Sequence, residues 1–113
     1  DDTLIPQRWQ LEKAVENNPD KIVVIRDRGI KGVAVYLTLT DETYSHLKDF
    51  DVRRVDVLME LLNENGNNIH FILLAADGYK TIMKIGREVY QRLNPKTVSW
   101  WNPDFDRLHK YKL

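Results

Sequence analysis

The sequence predicts an α/β domain with a mixed, mostly antiparallel sheet, and three stretches carry that reading. Ile69, Phe71, Ile72, Leu73, Leu74, Ala75 and Ala76 form an apolar run interrupted by His70, which suits a strand buried on both faces. Past the turn at Asp77-Gly78 the period changes. Ile82, Ile85, Val89 and Leu93 then share one helical stripe, with Lys80, Lys84, Arg87, Glu88 and Gln91 off it. Upstream, the β-branched run Ile22–Ile25 and the alternating Val33, Val35, Leu37 and Leu39 flank a short glycine-bearing loop, the pattern of an antiparallel hairpin.

The elements follow in order. Pro6 to Asn17 reads as a helix, with proline in its first turn and Trp9, Leu11, Ala14 and Val15 on its apolar side. Asn17-Asn18-Pro19 stops it, because the residue before proline disfavours the α region. Lys21–Asp27 and Val33–Thr40 are the hairpin strands, the second with an apolar face opposite Ala34, Tyr36, Thr38 and Thr40. Thr40 or Asp41 caps the next helix, which turns Tyr44, Leu47 and Phe50 inward. A further helix is predicted over Asp51–Glu64, stopped by Gly66 in a left-handed conformation. The strand Ile69–Ala76 and the helix Tyr79–Leu93 follow, and Asn94-Pro95 ends that helix. Thr97–Trp101 is a strand, Asn102-Pro103-Asp104 a turn, and Arg107–Leu113 a closing strand. The predicted order is α-β-β-α-α-β-α-β-β in one domain. Only the connection through Tyr79–Leu93 has the βαβ form that makes two strands parallel.

Composition excludes several classes of function. Seventeen basic residues balance seventeen acidic ones, so no net charge points to nucleic acid or an anionic membrane. Cysteine is absent, which removes disulfides, thiol nucleophiles and thiolate metal sites. No companion sits at metal-ligand spacing from His46 or His109, and no metal site is expected. No apolar run reaches the ~20 residues of a membrane span, and no secretory signal precedes the first helix, so the expected location is cytoplasmic. The Rossmann fingerprint, the phosphate loop and the Gly-x-Ser-x-Gly elbow are all missing.

What chemistry the sequence offers gathers around the strand–turn–helix at Ile69–Leu93. A helix N-terminus following a buried strand can hold an anion, with Lys80 and Lys84 nearby. Asp77 reads as a catalytic acid or base, or as the N-cap of Tyr79 and Lys80. Gly78 allows close approach of a ligand or serves the turn. His70 is a general base or a histidine satisfied at a sheet face. Trp100 and Trp101 point to opposite faces, one to the core and the other to a cleft, a sheet face or an interface.

Two patterns resemble the GNAT superfamily of N-acyltransferases, and within it the small branch of phage-encoded relatives and RTX toxin-activating lysine acyltransferases. One is Gly32-Val-Ala-Val-Tyr36-Leu-Thr-Leu-Thr-Asp41-Glu42; the other is Phe71-Ile-Leu-Leu-Ala-Ala-Asp77-Gly78 with its basic helix, then Val98-Ser-Trp-Trp101 and a hairpin. The resemblance implies helices on both faces of the sheet and a splay between the strands Ile69–Ala76 and Thr97–Trp101. Acetyl-CoA or another acyl-CoA would lie there, against Ala76, Gly78, Tyr79, Lys80, Lys84 and Trp100. It also implies transfer to an amine, lysine-like acceptor, with Tyr79 or Tyr36 as the phenol that protonates the departing thiolate and His70 or Asp77 as acid or base. The alternative is a GNAT-like module without catalysis that acts through a protein interface.

Overall fold

The structure, a computed structural model, describes residues 8–113, without the side chains of Arg8 and Leu11. Its elements are α1 (Arg8–Glu16), β1 (Ile22–Arg26), β2 (Ile30–Leu39), α2 (Asp41–Ser45), α3 (Val55–Leu61), β3 (Asn68–Ala76), α4 (Tyr79–Leu93), β4 (Thr97–Trp101) and β5 (Leu108–Lys112). Single 3-10 turns at Pro19–Lys21 and Leu47–Asp49 join them. The five strands lie side by side in chain order, all antiparallel except β3 and β4, which run parallel through α4. This is the α/β class and the element order expected. The start of the first helix at Pro6 lies outside the described residues.

Both faces of the sheet are covered. On one, Leu37 and Leu39 pack with Leu47, Val52, Leu58, Leu61 and Leu62, and with Ala14 and Val15 of α1. On the other, α4 lays Ile85 and Val89 over Val23, Ala34, Tyr36 and Ile69. The two faces of β2 are therefore both core, although one carries a phenol and a hydroxyl. Thr38 Oγ1 donates to the Glu64 carbonyl (3.0 Å), so the hydroxyl is buried with a partner.

Five expectations are corrected. Trp9 is 59% exposed, so Ala14 and Val15 carry the apolar side of α1. The helix expected over Asp51–Glu64 starts four residues later. Asp51 Oδ1 accepts the Arg53 N–H at 3.1 Å, and this local turn competes with helix and drops Val52 into the core. Gly66 has no positive φ; its place is fixed by close approach, since a Cβ there would enter the Leu39 carbonyl and lie 2.6 Å from Thr40 N. The buried stripe of α4 is Thr81, Ile85 and Val89, and Ile82 is exposed. Finally, β3 is buried on both faces only in its first half; Leu73 and Leu74 are 49% and 43% exposed.

One buried charge was not foreseen. Lys21 folds inward and donates from Nζ to the carbonyls of Leu62 (2.5 Å), the C-cap of α3, and of Glu64 just beyond it (2.9 Å), which also accepts from Thr38. Burial lowers the pKa of its ammonium, opposed by Asp20 and Glu64. The Glu64 side chain reaches back to the start of α2, accepting from Thr40 N, Thr40 Oγ1 and Thr43 Oγ1, while Thr40 caps α2.

Candidate functional site

The parallel pair that should hold a ligand is short. β3 and β4 stay in register from Asn68–Thr97 to Phe71–Trp100, and no further. β3 continues to Ala76 beside β2, with no strand among the described residues on its other edge. The Asp77 N–H donates to the Lys31 carbonyl (2.9 Å) on the β2 side. By strand alternation Leu74 and Ala76 then direct their N–H and C=O groups away from β2, to the open edge. The open edge runs directly into the N-terminus of α4.

At that helix start the N-cap is Gly78, with no side-chain capping bond. Its φ of 171° is ordinary extended backbone, and a Cβ there would meet nothing within 4 Å. The expected cap, Asp77, is turned to the flank of the helix, where its Oδ1 accepts from Thr81 Oγ1 at 2.5 Å. The first N–H groups of α4 therefore have no side-chain cap. Tyr79 stands 74% exposed in the first turn, and Lys80 and Lys84 are exposed one turn apart. Ala76, Gly78, Tyr79 and Lys80 thus come together at one place, with Asp77 beside them.

The other candidates lie elsewhere. Tyr36 is fully buried beneath α4, edge-on to Phe71 with ring centroids 6.0 Å apart, and its hydroxyl donates to the Asp20 carbonyl. Burial raises its pKa, and the Arg92 guanidinium opposes that. It holds the 3-10 turn at Pro19–Lys21 against the sheet and has no exposed surface to offer a substrate. His70 is also fully buried, on the opposite face, with Nδ1 2.8 Å from Ser99 Oγ. Burial, helped by the charge of Lys110, pushes its pKa down to about 4, so the ring is neutral near pH 7.

The adjacent tryptophans separate as alternation requires. Trp101 packs into the core on the α3 face. Trp100 lies on the α4 side, stacked between His109 and Tyr111 with centroids 5.4 and 5.3 Å away and planes 17° apart. Near it, between α4 and β4, runs an apolar groove of about 150 Å³ lined by Phe71, Gly86, Tyr90, Val98 and Leu113. Among the described residues no group of three or more His, Asp or Glu side chains is placed to hold a metal ion. No helix among them is long and apolar enough to cross a membrane. Sequence reasoning missed Ser99 and Phe105, which meet His70 and Trp101 only through the β3–β4 register and the β4–β5 loop. Comparison with known proteins finds no family model and no curated protein that matches this chain.

Proposed function

We propose that this chain is a GNAT-like protein that binds an acyl thioester, an acyl-CoA, where β3 and β4 part, and transfers the acyl group to an amine of a lysine-like acceptor. The observation that carries the reading is the edge of β3 beyond Phe71, which is unpaired and ends at an uncapped helix N-terminus. An extended chain bearing amides, as the pantetheine arm does, pairs with such an edge as an added strand would. Uncapped N–H groups and the positive end of the helix suit a pyrophosphate, with Lys80 and Lys84 supplying charge. The Asp77 carboxylate beside that helix start accepts from the Thr81 hydroxyl.

In the transfer step the acceptor nitrogen bonds to the thioester carbon and the C–S bond breaks. The sulfur gains a proton and the nitrogen loses one. In this reading Tyr79 is the phenol that would protonate the sulfur, a role that its exposure in the first turn of α4 supports. The test is a thermal-denaturation series with acetyl-CoA, a long-chain acyl-CoA and CoA. At ~100 times the dissociation constant a bound cofactor adds ~2.7 kcal/mol. An unmoved midpoint with all three ligands at 1 mM removes the reading. Tyr79→Phe should abolish transfer while preserving that stabilisation, and retained transfer would remove Tyr79 from the role.

A second reading is favoured by one observation. Leu73, Leu74, Tyr79, Ile82 and Met83 expose apolar surface around the same open edge. A partner protein adding a strand to β3 would cover that surface, and the chain would then act as an interaction module without catalysis. Protein that ignores all three thioester probes but binds peptides by strand addition would establish it.

A further inference from the structure

The zero net charge of the chain conceals a basic cluster on the terminal hairpin. In the β4–β5 ladder Lys112 stands opposite Thr97 and Lys110 opposite Ser99, and residues directly opposite share a face. Ser99 turns to the buried His70, and Thr97 Oγ1 donates to Asn68 Oδ1 (2.8 Å). Both lysines therefore rise from the α3 side of the sheet. His109 and Tyr111 alternate with them and stack on Trp100 on the other side.

Two lysine heads are held on α2. Lys96, in the link before β4, places Nζ 3.2 Å from both carboxylate oxygens of Asp41. Lys110 Nζ donates to the Tyr44 carbonyl (2.9 Å) and lies over the Tyr44 ring, 4.5 Å from its centroid. Asp41 and Tyr44 are three residues apart, neighbours on the helix surface. Lys112 has no ion pair or side-chain hydrogen bond among the described residues. The three lysines line one open cleft of about 290 Å³, completed by Tyr44, Thr97 and Tyr111.

No carboxylate lines that cleft. Asp41 offsets one of the three ammonium charges, and Glu42, the other acid of α2, is not among the lining residues. A surplus of two positive charges remains. Shielding of an edge strand accounts for lysines on β5 itself. It does not account for Lys96, which lies outside β5, or for the hold of Lys110 on Tyr44.

We propose that this cleft binds a phosphate monoester, its oxygens taken by Lys96, Lys110 and Lys112 and its apolar body laid along the lysine stems and Tyr44. Such an ester carries about −1.5 to −2 charge at pH 7 and three strong acceptor oxygens, which matches the surplus of two and the spare ammonium donors. A diester or a carboxylate brings a single charge and leaves half the surplus unmatched. The volume lies near the lower end of the ~300–1,000 Å³ of small-ligand clefts. The cleft sits at the Asn68–Thr97 end of the sheet, whereas Tyr79 follows the far end of β3, so the proposal does not depend on thioester binding.

The test follows backbone amides by ¹H–¹⁵N NMR while phenyl phosphate, methyl phenyl phosphate, benzoate and phenol are titrated in turn. Phenyl phosphate should give saturable shifts gathered at Lys96, Thr97 and Lys110–Lys112, weakening as salt is raised. The two singly charged probes should bind several-fold more weakly, and phenol should not bind. Lys110→Gln and Lys112→Gln should each weaken phenyl phosphate several-fold, and Lys112→Glu should abolish its binding. Lys31→Glu makes the same change in net charge at the opposite end of the sheet and should leave the affinity unchanged. Adenosine 5′-monophosphate and N-acetylphosphotyrosine amide then separate a nucleotide from a phosphorylated side chain, the tighter of the two naming the source. No saturable shift with phenyl phosphate up to ~10 mM overturns the proposal. So would equal affinity for benzoate or the diester, binding that survives Lys112→Glu, or an equal loss in Lys31→Glu.

Discussion

Acidification should destabilise this protein through one histidine. His70 has no exposed surface, and burial holds its pKa at about 4 against an ordinary 6.5. Between those values the unfolded chain binds a proton that the folded chain refuses, so folding stability rises with pH through the window. Stability is fully present above 6.5, falls as the pH drops towards 4, and levels off below that. The interval is 6.5 − 4 = 2.5 pH units, and at ~1.36 kcal/mol per unit the loss is about 3 kcal/mol. That is a large part of the ~5–15 kcal/mol that holds a domain of this size together.

Urea unfolding at half-unit steps from pH 7.5 to 4 measures the loss, with His70→Asn as the control. Asparagine keeps a donor for Ser99 and cannot titrate. Asp41, Asp51 and Asp56, held below the usual carboxylate range by hydrogen bonds from Asn68, Arg53 and Arg54, are common to both proteins and cancel in the difference. The stability difference between the two proteins should therefore shrink by about 3 kcal/mol across the window. Parallel loss in both would refute the reasoning, as would a ring titration near 6.5 followed by NMR.

Two glycines and a lysine give sharper local tests. Gly66→Ala drives a methyl into the Leu39 backbone and should cost at least ~2 kcal/mol in a urea melt. Gly78→Ala meets nothing and should change stability by no more than ~0.5 kcal/mol; lost acyl-CoA stabilisation in that variant would mark the close approach of a ligand. Lys21→Met keeps the apolar stem but strips the Leu62 carbonyl of its donor, while the Glu64 carbonyl keeps Thr38. The expected loss is ~2 kcal/mol with an unchanged denaturant slope, and a neutral result would show that the lysine contributes nothing net.

The strands and the last helix were legible because local signals agreed with the fold. Ile22–Ile25, the alternation from Val33 and the run from Ile69 each matched a period, and Asn94 ended α4 in the left-handed conformation that a terminal asparagine allows. What was not legible depended on residues far apart in the chain. Val52 and Asp51 read as the first turn of a helix, but the aspartate's bond to Arg53 won. Gly66 read as a helix stop, and the reason for it lies in the Leu39 backbone. Tyr36 read either as a catalytic phenol or as a residue lying beneath a helix, and α4 covers it. The same holds for the sites. The gathering of Ala76 to Lys80 was visible as consecutive residues, whereas the pairing of His70 with Ser99 needed a parallel register across nearly thirty residues.

The strand order also has a consequence for how the molecule comes apart. Because the five strands follow one another in sequence, β4 and β5 form a terminal hairpin joined to the rest of the sheet by the four register pairs from Asn68–Thr97 to Phe71–Trp100. Its other polar ties include two exposed ones, Lys110 on the Tyr44 carbonyl and Lys96 on Asp41, and the less exposed bonds of Ser99 with His70 and of Thr97 with Asn68. Detaching the hairpin would also lift Trp101 and Leu108 from the α3-side core and Val98 from the α4-side core, so it is a cooperative sub-global opening and not the fraying of a loose edge. Such an opening would part β3 from β4 along the whole of their shared length and lay both the edge of β3 and the buried His70 bare in one movement.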